Sequence, residues 1–406
     1  MSRLEDQVSS GWNRLASRLV QGGRVEEVPA SGTFVNPPVT RGSTVLFPSL
    51  ADMNRTDNRS HVHKLVYGAM GSPIQHQLEE LLTEIEGGTH TQVVNSGLAA
   101  CTVPLLAFLG HGDHLLLPDS VYGPTRRFAG TMLARMGVDT TFYPPLATQE
   151  EILALIRPET KILFAESPGS HTFEVQDMPM LADVAHRSGA LLMLDNTWGI
   201  GIFQPFQHGV DVSIQALTKY PAGHSDVIIG SVTVKDETHW KTLRDAAIQL
   251  GQCAGPDDCW LTMRGLRTMG VRLAHQARAA LDLALWLRSR PEVARVLHPA
   301  FEDCPGHEFW KRDFTGASGL FGVELRSDIP IADAERMIDG LEMFGIGASW
   351  GGYESLVLPT TGHIRRTTEA GGPEAAMFRL QIGLENIEDL RADLARGLDS
   401  LGGDEL

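Results

Sequence analysis

The chain has 406 residues, 42% of them hydrophobic and 21% charged, which supplies ample material for a core and excludes disordered, collagenous and coiled-coil sequences. Its 34 basic residues stand against 50 acidic ones, a net charge of −16 that disfavours polyanionic partners such as nucleic acid or anionic membrane surfaces. The length fits two or three domains, and the 42 glycines suit tight turns and close backbone approach to a ligand.

The opening segment MSRLEDQVSSGWNRLASRLV has no apolar stretch ahead of a small-residue cleavage site, and no run long enough to span a bilayer follows. A cytoplasmic protein is expected. Residues 1–70 form a polar lead-in, read equally well as an arm that wraps a partner subunit or as an irregular surface segment. From Gly71 the pattern changes, with Leu78, Leu81, Leu82 and Ile85 on one helical face stopped by Gly87 and Gly88.

Short apolar runs then alternate with helical stretches: TQVV, HLLLPD, TTFY, KILFAE, LLMLD, VSIQAL and DVIIGSVTV. This alternation predicts βαβ units and a mostly parallel sheet, so 71–265 reads as one large α/β domain. Beyond Leu266 come a long helix, the strand signals GLFGVELR, GIGASWG and FRLQIG, and a helix with Ile387, Leu390, Leu394, Leu398 and Leu401 on one face. Residues 266–406 read as a smaller α+β domain.

Several chemistries are absent from the sequence. There is no P-loop, no GxSxG elbow and no GxGxxG opening a helix. Cys101, Cys253, Cys259 and Cys304 show no CxxC spacing, and the pairs His61/His63 and His111/His114 have no third ligand at a familiar distance, so no metal is expected.

The chemistry concentrates in LLMLDNTWGIG and DVSIQALTKYPAGHSD. One apolar strand ends in Asp195, and the next leads through Ser213 and Thr218 to Lys219. A lysine and a carboxylate at neighbouring strand ends suit pyridoxal 5'-phosphate (PLP): the lysine forms a Schiff base, and the carboxylate keeps the pyridine nitrogen protonated. The hydroxyls of Ser213 and Thr218 are close enough in sequence to bind the phosphate.

These segments, with YGAMGSPIQHQLEELLTEIEGG, VVNSGLAA, DSVYGPTRRF, ESPGSHTFEV, GASWGG and FRLQIGLE, resemble the Cys/Met-metabolism family of PLP enzymes from about Thr40 to Leu398. The resemblance implies the aspartate-aminotransferase-like PLP fold type I, with Lys219 as the cofactor lysine and Asp195 as the partner of the ring nitrogen. It further implies that Tyr122 stacks on the ring and that Gly97 and Leu98 offer N–H groups to the phosphate. Arg379, Ser349 and Trp350 are implied at the substrate carboxylate, and Tyr67 reaches a neighbouring subunit's phosphate in a homotetramer with shared sites.

Gly169 and Ser170 stand where γ-acting members carry Asn-Pro, so the resemblance favours β-elimination from cystathionine or a related cysteine S-conjugate. A γ-lyase or γ-replacement transferase is the alternative, since the same core residues serve both. A non-catalytic scaffold is disfavoured by the joint presence of Lys219, Asp195, Tyr122 and Arg379. One departure stands out. The family's Tyr-x-Arg is here Tyr67-Gly68-Ala69, so the interface guanidinium is missing, with Arg41 and Lys64 as candidate replacements.

Overall fold

Alternation along the strands sorts the apolar residues into two cores, one on each face of a single sheet. In a computed structural model that describes residues 15–23, 29–55, 61–368 and 375–402, Leu116, Leu163, Leu192 and Leu194 join one cluster. Leu115, Leu117, Ile162, Phe164 and Met193 join the other. Because strand side chains alternate with period two, these near-continuous apolar runs need cover on both faces, which the connecting helices supply.

The sheet has seven strands: β1 (His90–Val94), β2 (His114–Pro118), β3 (Asp139–Tyr143), β4 (Thr160–Glu166), β5 (Leu191–Asp195), β6 (Val212–Gln215) and β7 (Gly230–Val234). Their order is β1-β7-β6-β5-β4-β2-β3, with β7 antiparallel to both neighbours and all other pairs parallel. The C-terminal ends of β2, β4, β5 and β6 therefore open on one edge, the place where such sheets bind ligands.

Helix α1 (Pro73–Glu86) starts at Ser72, whose side chain accepts the Gln75 N–H, and stops at Gly87 in the left-handed region at φ 78°. Leu78, Leu81, Leu82 and Ile85 are buried on its inner face. Each contributes about 1.5–3 kcal/mol relative to exposure. Helix α2 (Gly97–Phe108) follows β1 and is capped by Ser96. The short α3 (Gly123–Phe128) follows β2, with Tyr122 at its N-cap.

Helix α4 (Pro256–Leu287) runs for 32 residues and passes through positions 265 and 266, so the two halves of the chain share one continuous element. It leads to a five-stranded sheet ordered β10-β11-β12-β9-β8, comprising β8 (Val293–Leu297), β9 (Leu320–Leu325), β10 (Gly345–Ile346), β11 (Leu356–Pro359) and β12 (Met377–Gln381). Helix α5 (Ile387–Asp399) closes this part, burying Leu390, Leu394 and Leu398. No described helix is long and apolar enough to cross a membrane.

Candidate active site

Asp195 is the last residue of β5 and shares a face with Met193, the face that packs on α2. Its Oδ1 accepts the Thr197 N–H at 3.1 Å and the Thr197 hydroxyl at 2.6 Å, and its Oδ2 lies 3.6 Å from the Cys101 thiol. Burial nonetheless raises this carboxyl above the ordinary aspartate range.

Lys219 sits in the turn after β6, at the same sheet edge. Its Nζ donates to Ser349 Oγ at 2.6 Å and lies 5.4 Å from the centroid of the Trp350 ring. Burial and the charge of Arg379 bring its amine down to about 8, against the opposing pull of Asp195. Arg379, on β12 and 8% exposed, donates to the Ser349 carbonyl at 2.8 Å. Desolvation lowers that guanidinium to about 10.

The loop carrying Ser349 and Trp350 rests directly on the lysine turn. Ser349 adopts φ 79°, and Gly351 follows at φ 87°. A Cβ at Gly351 would stand 2.8 Å from the Tyr220 nitrogen and 2.9 Å from the Lys219 carbonyl carbon, so only glycine fits. Trp350 meets the Tyr220 ring edge-on at 5.2 Å.

Tyr122 reaches the same place from β2, its backbone N–H donating to Glu166 Oε2 at 2.6 Å. Burial, with Cys101, Asp195 and Glu166 nearby, raises its phenol. Gly97 opens α2 so close to the lysine turn that a Cβ would lie 2.5 Å from that of Ala216. The Gly97 and Leu98 N–H groups lie in the first turn of α2, where no intrahelical acceptor is available, while the Ser96 side chain takes the Ala99 N–H.

Two expected phosphate ligands, Ser213 and Thr218, are engaged elsewhere. Ser213 is not brought to this cluster: on β6, Val212 and Ile214 face the α2 side, so Ser213 and Gln215 face the opposite one. There the Ser213 hydroxyl and the Gln215 amide both donate to the buried Glu86. Thr218 adjoins Lys219, but its hydroxyl donates to the Ile229 carbonyl at 3.1 Å and accepts the Ile229 N–H at 3.0 Å. Tyr67 is half-exposed on the segment preceding α1, where it bridges Thr44. Arg41 forms an ion pair with Asp257 of its own chain. His61 pairs with Asp245, and His63 with Glu79 and Glu80.

Three further side chains meet at this edge: Glu166, Thr197 and Cys101, the last a cysteine with no spacing signal in the sequence. Glu166 had a usable signal: KILFAE ends in an acid at its strand terminus just as LLMLD does. Glu166 and Asp195 are register partners on adjacent strands, and burial together with Asp195 pushes the Glu166 carboxyl well up. Two carboxyls, one amine, a helix start and a guanidinium thus converge. A protonated pyridine nitrogen suits the carboxyl pair, and a phosphate suits the start of α2, so the residues fit PLP.

The Cys/Met metabolism PLP-dependent enzyme family matches residues 17–399. A putative cystathionine β-lyase of Rhizobium johnstonii is 48% identical over 369 residues, covering 90% of this chain and 91% of that protein. The cystathionine β-lyase of Escherichia coli K12 is 40% identical over 392 residues, covering 95% and 98%. Among solved structures, the cystathionine γ-synthase of Xanthomonas oryzae pv. oryzae, in complex with aminoacrylate and cysteine, superposes with a TM-score of 0.86 at 29% identity, covering 95% and 98%.

Proposed function

The chain belongs to the Cys/Met-metabolism family of PLP-dependent enzymes, with its type I fold, and we propose that within this family it is a carbon–sulfur β-lyase. The substrate is L-cystathionine or a related cysteine S-conjugate; water is consumed, and a thiol, pyruvate and ammonia are released. The observation that carries this reading is the similarity over nine-tenths or more of the chain to cystathionine β-lyases, together with a Lys219 amine that feels the charges of both Arg379 and Asp195.

When bound, PLP supplies an aldehyde that captures the substrate amine and an electron-poor ring that delocalises the pair left at Cα. Arg379 binds the substrate α-carboxylate as a fork, with Ser349 and Trp350 alongside. The Lys219 Nζ takes the Cα proton, an act for which an amine near pH 8 is well matched. Asp195 would keep the ring nitrogen protonated, Tyr122 would cover the ring, and the N–H groups of Gly97 and Leu98 would take the phosphate. Loss of the Cα proton is balanced by departure of the thiolate from Cβ.

The proposed assembly is a cytoplasmic homotetramer in which Tyr67 completes a neighbouring subunit's site. Phe34 and Leu46, each 90% exposed on the preceding segment, are apolar residues that suit burial against a second copy. The four cysteines are free thiols, in keeping with a reducing compartment. Incubation with L-cystathionine tests the reaction: pyruvate with homocysteine supports β-elimination. Release of 2-oxobutyrate with cysteine overturns it in favour of the γ-reaction.

A further inference from the structure

The mechanism above uses one of the two carboxyls that meet at the sheet edge. The other, Glu166, ends β4 as Asp195 ends β5, and the two are paired in parallel register. Ile162 and Phe164 lie in the core cluster on the α2 side, as does Met193, so Glu166 and Asp195 project from the same face as neighbours. Neighbouring carboxylates repel, and Asp195 pushes the Glu166 carboxyl up, which favours a proton on one of the two.

The donors around them decide which. Asp195 receives the Thr197 N–H, the Thr197 hydroxyl and the Cys101 thiol, and it feels the charge of Lys219. Glu166 receives the Tyr122 N–H at 2.6 Å. Hydrogen bonds to a carboxylate favour its charged form, so the negative charge settles on Asp195 and the proton on Glu166. That same N–H belongs to the residue at the N-cap of α3, so the Glu166 carboxyl fixes where the Tyr122 ring begins.

We propose that Glu166 is a positioning residue that anchors Tyr122 over the cofactor site through its backbone N–H, and that it acts as the neutral acid of the Glu166–Asp195 pair. Its role depends on an acceptor oxygen and not on a charge. The proposal needs only that PLP binds here, and is independent of whether elimination is β or γ.

The experiment uses holoenzyme and follows the dissociation rate of PLP by its visible absorbance after dilution, with a thermal melt of each variant as a folding control. Glu166→Gln keeps an acceptor and carries no charge, and is expected to leave the rate within about threefold of wild type, below the loss of one hydrogen bond. Glu166→Ala removes the acceptor and is expected to speed release about tenfold. In a Tyr122→Ala background the same Glu166→Ala change is expected to add less than about twofold, because the group it positions is gone. A Gln variant that releases PLP as fast as the Ala variant would overturn the neutral role. Equal effects of Glu166→Ala in both backgrounds, or no effect in either, would overturn the link to Tyr122.

Discussion

Lys219 donates from Nζ to Ser349 Oγ at 2.6 Å across 130 residues of sequence. The carbonyl of the same serine accepts from Arg379. One residue thus ties the amine beside the large sheet to the guanidinium of the small one, and it does so in a left-handed conformation, two residues before a glycine in the same region.

The amine lowered to about 8 from an ordinary 10.5 has a direct consequence for cofactor capture. Only the neutral amine attacks the PLP aldehyde, so the rate at which stripped protein takes up PLP should rise with pH through about 8 and then level off. A rate still climbing towards pH 10 would show an ordinary, solvated lysine. Lys219→Ala should abolish the visible band and reduce turnover by at least about 10²–10⁴-fold.

Arg379→Lys keeps a charge but loses the fork that matches a carboxylate and the bond to the Ser349 carbonyl. KM for the amino-acid substrate should rise about 10–100-fold, from the roughly 1.5–3 kcal/mol of a charge-assisted bond. A fall in kcat at unchanged KM would place Arg379 away from the carboxylate.

Gly97→Ala puts a methyl group into space already held by Ala216, 2.5 Å away. Overpacking of about 1–3 kcal/mol should push the start of α2 off the lysine turn and weaken PLP binding about tenfold or more. Gly130→Ala, where a Cβ meets nothing within 4 Å, is the control that should leave PLP affinity unchanged. Equal affinities for both variants would remove Gly97 from the phosphate site.

Glu86 is buried beneath β6, and desolvation raises its carboxyl to about 7 from 4.5, despite bonds from Ser213, Asn196 and Gln215. A folded value above the unfolded one means that the stabilisation is complete below about 4.5 and declines as pH rises to about 7, after which it is flat. The loss approaches about 3 kcal/mol at most. Denaturant melts of Glu86→Gln should lack this part of the slope; identical slopes in both proteins would mean that Glu86 titrates as an exposed acid does.

The residues that terminate strands were legible in the sequence. Asp195 and Lys219 follow apolar runs that have to be buried, and βαβ topology brings the ends of such runs to one edge. Ser213 was misjudged because nearness in sequence took the place of strand periodicity: two residues short of the end of β6, it faces the opposite core. The true start of α4 was hidden by Gly265 and Gly270, which lower helix propensity. Gly265 is there for contact, since a Cβ would lie 2.2 Å from the Ala222 carbonyl below the lysine turn. β8 and β11 were missed altogether: β8 is a half-exposed edge strand, and β11 is four residues ending in proline.

The Ser349 junction also bears on synthesis of the chain. Lys219 emerges midway through the 406 residues, whereas Arg379 comes near the end, on the central strand of a sheet whose other members precede it. A growing polypeptide therefore carries its amine long before the Arg379 guanidinium can be brought beside it. On the proposed assignment, competence to select an amino acid would arrive only with the strand that completes the second sheet, and a chain terminated before it would lack the anchor for its substrate.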